Sequence, residues 1–211
     1  MKKHVSFLVL LVFVCSTAGA QSKYFKRSEP KITYGVKAGL NLASQSSPEN
    51  DGVFEVESLL LYNAGAYFSY RFSRNFVFQP ELLISMKGTE WTDRYDNMKD
   101  IITYIDLPVL IKYQPVRNFN VHLGPQPGYA LKVLQKDLKT GISSDISYIY
   151  NAIDLGFVLG VEAVIHDRLK ASIRYVRGLV SATNDISYEY KCYNNLFQFG
   201  LSYRLSDLNL N

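Results

Sequence analysis

From Tyr67 to Gly88 the chain repeats with a period of two residues, and little but an antiparallel strand pair accommodates that. Two runs, Tyr67 to Phe72 and Phe76 to Gly88, flank a short Ser73-Arg74-Asn75 turn. Positions Phe68, Tyr70, Phe72, Phe76, Phe78, Pro80, Leu82, Ile84 and Met86 are apolar, aromatic or Pro, while Ser69, Arg71, Gln79, Glu81, Ser85 and Lys87 fall between them. Side chains that alternate in this way point to opposite faces of a strand. Each arm also approaches the about 9 to 11 residues with which a tilted strand crosses a bilayer.

The same unit recurs along the chain. Alternation predicts strands over about 34–43, 60–72, 76–88, 105–113, 119–132, 153–163, 169–175 and 197–205. Turns at 73–75, 115–118 and 166–168 are short, and they alternate with long polar loops over about 45–57, 89–100, up to Asn151 after the fifth strand, and 180–195. Short turns on one side and long loops on the other are the pattern of bacterial outer-membrane barrels. The expected fold is therefore all-β: an eight-stranded antiparallel up-and-down transmembrane β-barrel over 34–205, with a tail over 206–211 and both termini periplasmic. Pro80 and Pro108, which remove ladder donors, are expected at bulges.

Lys2 and Lys3, the apolar run Val5 to Val14 and the small residues Ala18-Gly19-Ala20 have the order of a secretory signal peptide over 1–20. Residues 21–33 lack periodicity and read as a flexible lead-in. The formal charge of +4 falls to +2 without the two leader lysines, which gives no footing for nucleic acid. Cys192 is the only cysteine after the leader, so disulfide, zinc and redox spacings are absent, and no cofactor or metal is expected. No segment after the leader has the apolar length of a membrane helix. Membrane insertion would have to use strands.

Alternation alone leaves open which face is the lumen, because a soluble lipocalin-like barrel has the same period with the apolar face inside. Gly35, Gly39, Gly65, Gly124, Gly128, Gly156, Gly160 and Gly200 all share the polar face. Glycine weakens a solvated strand, but in a narrow lumen it makes room for long side chains. The polar face is accordingly assigned to the interior and the apolar face to lipid. The lumen would then hold Lys37, Arg71, Lys87, Lys112, Lys170, Arg174 and Arg204 with Glu81, Asp106, Asp154 and Glu162. Eight strands leave space only for side chains, so this set reads as a structural charge network, with a conduction path as the alternative.

Several strings match a known family. They are Tyr34-Gly35-Val36-Lys37-Ala38-Gly39-Leu40-Asn41; Gln79-Pro80-Glu81-Leu82-Leu83 with Lys87-Gly88; Asp106-Leu107-Pro108-Val109-Leu110-Ile111-Lys112-Tyr113; Gly124-Pro125 with Gly128-Tyr129; and Arg174-Tyr175 with Gly178-Leu179. In order and spacing they resemble the PorT-like outer-membrane β-barrel proteins of Bacteroidota. The resemblance implies a small barrel in a Gram-negative outer membrane and does not imply one activity; the family's namesake is associated with protein secretion and gliding. Such barrels usually end on an aromatic residue, whereas Leu205 stands here.

The expected role is structural or protein-interacting, in a monomer surrounded by outer-membrane lipid. A soluble ligand-binding barrel and a lipid-modifying enzyme are the alternatives. An enzyme would want a His beside Ser or a carboxylate at the extracellular rim. His122 and His166 both fall toward the short turns, so no catalytic residue is assigned. Trp91, Tyr95, Tyr148, Tyr150, Tyr188, Tyr190 and Tyr193 lie in or near the long loops. There they would offer a partner surface or rest on the barrel rim.

Overall fold

The computed structural model describes residues 31–47, 55–92, 97–184 and 191–208. The expected signal peptide, most of the expected lead-in, and Tyr95, Tyr188 and Tyr190 lie outside these residues. Among the described residues eleven strands form one antiparallel sheet. They are β1 (Ile32–Ser46), β2 (Glu55–Glu57), β3 (Leu59–Arg71), β4 (Phe76–Thr92), β5 (Asn97–Asp106), β6 (Val109–Val116), β7 (Phe119–Asp137), β8 (Ser143–Asp145), β9 (Ile153–His166), β10 (Leu169–Gly178) and β11 (Tyr193–Leu208).

The pairings close on themselves. β1 lies between β3 and β11, β3 joins β4, and the ladder returns through β7, β9 and β10 to β11. β5 and β6 are two halves of one stave, since both pair with β4 on one side and β7 on the other. The wall therefore has eight staves, and β2 and β8 are short additions at the long-loop end, paired with β4 and β7.

Most residues lie on the face that alternation assigned to them. Lys37, Glu81, Lys87, Asp106, Lys112, Asp154, Glu162 and Arg174 are buried inside, while Leu60, Tyr62, Leu82, Ile84, Leu159 and Leu201 are exposed on the outer wall. A lipocalin-like barrel, with its apolar face inward, is excluded by this orientation. Phe72, Phe76 and Tyr113 pack together at the short-turn end, with ring centroids 6.1 and 5.3 Å apart. Aromatics in such a girdle mark a membrane boundary.

The strands are longer than alternation indicated. β1 begins at Ile32, within the expected lead-in, and β11 runs through Ser206 to Leu208, within the expected tail. Most of the expected 89–100 loop is strand as well, because β4 continues to Thr92 and β5 starts at Asn97. Beyond the lipid the outer face turns polar, so the hydrophobic period fades while the backbone ladder continues.

Neither proline makes a bulge. β5 and β6 keep one register against β4 on both sides of Leu107-Pro108, and Pro80 sits opposite Val109 in that register. The Pro108 carbonyl still accepts from the Glu81 amide at 2.9 Å. Pro80 lies where the β3–β4 ladder skips between Tyr67↔Glu81 and Tyr70↔Phe78. Registers shift elsewhere, at Tyr34/Gly35, Thr103/Tyr104, Tyr113/Val116 and Leu169/Lys170. The shift at Thr103/Tyr104 passes over Leu131, turning Lys132, which an unbroken period of two would place inside, outward and Val133 inward.

Candidate functional site

Inward residues along β9 read Glu162, Gly160, Val158, Gly156 and Asp154 from the short-turn end upward, and this sequence sets the layers of the lumen. At the Glu162 level the interior is ionic. Arg174 on β10 reaches Glu81 on β4 through two parallel bonds, Nη1 to Oε2 at 2.7 Å and Nη2 to Oε1 at 2.6 Å. Lys37 on β1 approaches the same carboxylate at 3.2 Å, and the Gln79 amide donates to it at 2.7 Å. Beside this group Glu162 accepts from Lys112 at 2.8 Å, Asn120 at 3.0 Å and Lys170 at 3.2 Å.

β4 and β10 stand four staves apart in a wall of eight, so the Arg174–Glu81 pair spans the barrel. A forked guanidinium–carboxylate contact fixes both distance and orientation. Its fit requires glycine nearby: a Cβ on Gly160 would lie 2.7 Å from His122 Nε2 and 2.8 Å from Arg174 Cγ. His122 itself is fully buried, with Nδ1 3.3 Å from Asn120 Oδ1.

Above the ionic layer the lumen turns apolar and amidic. Leu110, Val158, Val176 and Leu196 form a buried cluster with Ala43, Leu59 and Leu61. At a similar level, Asn41 bonds Ser85 at 3.0 Å and accepts from Asn63 at 2.6 Å and Gln198 at 3.2 Å. A second ionic layer follows. Lys87 lies 2.9 Å from both Asp106 and Asp154 and 4.2 Å from the centroid of the Tyr104 ring. Gln126 donates to Asp106 at 2.8 Å and Asn194 to Asp154 at 3.2 Å.

Loop residues cover the long-loop mouth. Ile146 and Tyr150, from the stretch after β8, and Ala182, from the stretch after β10, pack on Ile102, Tyr104 and Val133 of the inner wall. Tyr150 donates to Asp100 at 2.8 Å, and Asp100 also receives Gln135 at 3.0 Å and Trp91 at 3.3 Å. The two loop stretches are joined by backbone bonds, Asn151 to the Ala182 carbonyl and Asn184 to the Ile149 carbonyl, each 2.8 Å. Tyr148, by contrast, points outward and is exposed. At the outer hairpin Thr140 and the Lys139 amide hold the Asp137 carboxyl below its ordinary range, and the Ser147 hydroxyl and amide do the same for Asp145.

Of the eleven charged residues that alternation placed inside, eight meet in the two ionic layers with both partners buried. Lys170 joins Glu162 from the edge and stays partly exposed. Arg71 and Arg204 belong to the short-turn rim. Arg71 bonds Gln114 and the Arg74 carbonyl, and Arg204 the Asp167 carbonyl. Beyond the charged set, the lumen holds amides and the Asp100 cluster. Gln79, Asn41 and Gln198 lie on the polar face of the period, in phase with the charges, whereas Asp100 falls in a stretch whose composition reads as a loop. Among the described residues no group of three or more His, Cys, Asp or Glu could hold a metal ion.

A family model described as an outer membrane protein beta-barrel domain matches residues 20–184. Among solved structures, Ail, the attachment invasion locus protein of Yersinia pestis, in complex with the heparin analogue sucrose octasulfate, is similar with a TM-score of 0.51 at 12% identity, covering 83% of this chain and 99% of that one. Neisserial surface protein A is similar with a TM-score of 0.51 at 14% identity, covering 82% of this chain and 97% of that one. At these identities the likeness is one of fold, that of small outer-membrane barrels. No curated protein sequence matches the chain.

Proposed function

The chain belongs to the outer membrane protein beta-barrel domain family, and from that premise we propose that it is a closed, non-conducting barrel whose charged interior is structural and whose working surface is its extracellular end. The observation that carries this reading is the Arg174–Glu81 pair, which ties opposite walls together at the level where Lys37 converges on the same carboxylate. A buried ion pair is only worth keeping where its geometry is met, and here it occupies the space a pore would need. The apolar cluster above it and the loop residues at the mouth add two further obstructions.

In this reading the short turns and both termini face the periplasm and the long-loop end faces outward. The outward end presents Tyr148, Ile142 and Leu138 as exposed side chains, and we assign a protein-interaction role to that surface in a monomeric barrel. A connection with secretion rests on the resemblance to PorT-like proteins alone. We assign no catalysis, since His122 is sealed in the lumen and His166 lies at a short turn.

A photo-crosslinking amino acid placed at Tyr148, and separately at Ser73, tests the interaction role in living cells. Reproducible protein adducts from position 148 and none of the same adducts from position 73 are expected. Identical adducts from both positions, or none from 148 or from neighbouring loop positions, would remove the extracellular end as the working surface.

A further inference from the structure

The outer wall carries a groove at the long-loop boundary of the apolar band. Leu42 on β1 and Tyr175 on β10 both stand opposite Phe197 on β11. Two residues further toward the loops, Ser44 and Arg177 both stand opposite Asn195. Three adjacent staves thus change from apolar to polar at one level. With Ser58 and Leu196 these six residues line a groove of about 320 Å³, at the lower end of the about 300 to 1,000 Å³ of ligand sites.

Its lower half is apolar and aromatic. Leu42 and Phe197 are 40% and 48% exposed, and the Tyr175 and Phe197 rings meet at 5.0 Å. Its upper half has one charge, and that charge is held in place. Arg177 Nη1 donates to Asn195 Oδ1 at 2.9 Å, and Asn195 Nδ2 in turn donates to Ser46 Oγ at 2.8 Å. One nitrogen of the guanidinium is used in this chain of bonds, and no acidic side chain lines the groove.

We propose that this groove is a binding site for one phosphate-bearing lipid of the outer leaflet, with an acyl chain along Leu42, Tyr175 and Phe197 and the phosphate against Arg177. Two features select such an amphiphile. The groove continues the lipid-facing wall, so an acyl chain enters it without leaving the bilayer. The guanidinium stands where three staves change from apolar to polar, which is where headgroups are expected, and its planar fork pairs with phosphate oxygens better than a point charge does. Asn195 fixes the Arg177 side chain beforehand, which lowers the ordering cost of binding.

Native mass spectrometry of the full chain in neutral detergent tests the site, with dilauroyl phosphatidic acid, the matching diacylglycerol, and inorganic phosphate as probes. One phosphatidic acid should be retained per protein, with affinity falling about tenfold or more in Arg177→Gln. Arg177→Lys should fall between, Leu42→Trp should weaken retention by filling the apolar half, and Lys99→Gln, a cation elsewhere on the outer wall, should change nothing. Heat-modifiable migration on gels confirms that each variant is folded. Equal retention by the parent and Arg177→Gln, equal retention of the diacylglycerol, or displacement of the lipid by inorganic phosphate at equal concentration would each overturn the proposal.

Discussion

Glu81 is the residue on which the interior converges. Its two oxygens receive Arg174, Lys37 and Gln79 while it is itself 2% exposed. Removing one partner of such a set leaves the others charged and buried, which costs about 3 to 5 kcal/mol. Arg71 is half-buried at the short-turn rim, where it bonds Gln114 and the Arg74 carbonyl, and losing bonds from a charged donor to neutral acceptors costs about 1.5 to 3 kcal/mol. Glu81→Ala should therefore unfold in detergent at markedly lower denaturant than the parent, and Arg71→Ala at an intermediate one. Equal midpoints for the two variants would show that the buried layer is not what stabilises the barrel. The period of two indicated on which face these residues lie, but not which charge meets which. Glu81 and Arg174 are separated by 93 positions, and only the closure of the wall brings them together.

At the scale of elements, legibility followed the lipid. Within the apolar band each stave was readable because one face must be hydrophobic and the other polar. Above it, β4 to Thr92, β5 from Asn97 and β7 to Asp137 carry polar residues on both faces, and the signal disappears although the ladder does not. The shift at Thr103/Tyr104, which turns Lys132 outward, has no marker in sequence such as Gly or Pro. Within the band the face assignment is directly testable. Leu82 is 56% exposed on the outer wall and Ser85 is buried. Leu82→Arg should destabilise by about 2 to 4 kcal/mol near the bilayer midplane, and Ser85→Thr should cost much less. A reversal of that order in unfolding titrations would invert the two faces. The outer hairpin gives a further test. The Asp137 carboxyl is held below its ordinary range by Thr140 and the Lys139 amide, so the order it confers is complete above the ordinary carboxylate range and is lost as pH falls through the depressed value. Protection factors of the Lys139 and Thr140 amides, corrected for intrinsic exchange at each pH, should fall only in acid; a fall near neutrality would rule this out.

For the whole molecule, the alternation of short and long connections predicts a direction across the membrane. Cys192 adjoins β11 at the long-loop end, where its carbonyl accepts from Ala182 at 2.7 Å. A membrane-impermeant maleimide should label it on intact cells, while cysteines introduced at Ser73 or His166 should react only after the outer membrane is permeabilised. Labelling in the opposite order would mean an inverted barrel. Eight staves enclose a lumen filled by its own side chains, with two ionic layers, an apolar cluster and loop residues at the mouth. Single-channel recording of the purified chain in a planar bilayer tests whether that lumen is sealed. The filled lumen predicts a flat current trace under applied voltage, from the parent protein and from Glu81→Ala where that variant still folds. Stable, reproducible conductance steps from the parent protein would contradict it and make the charged interior a path for ions.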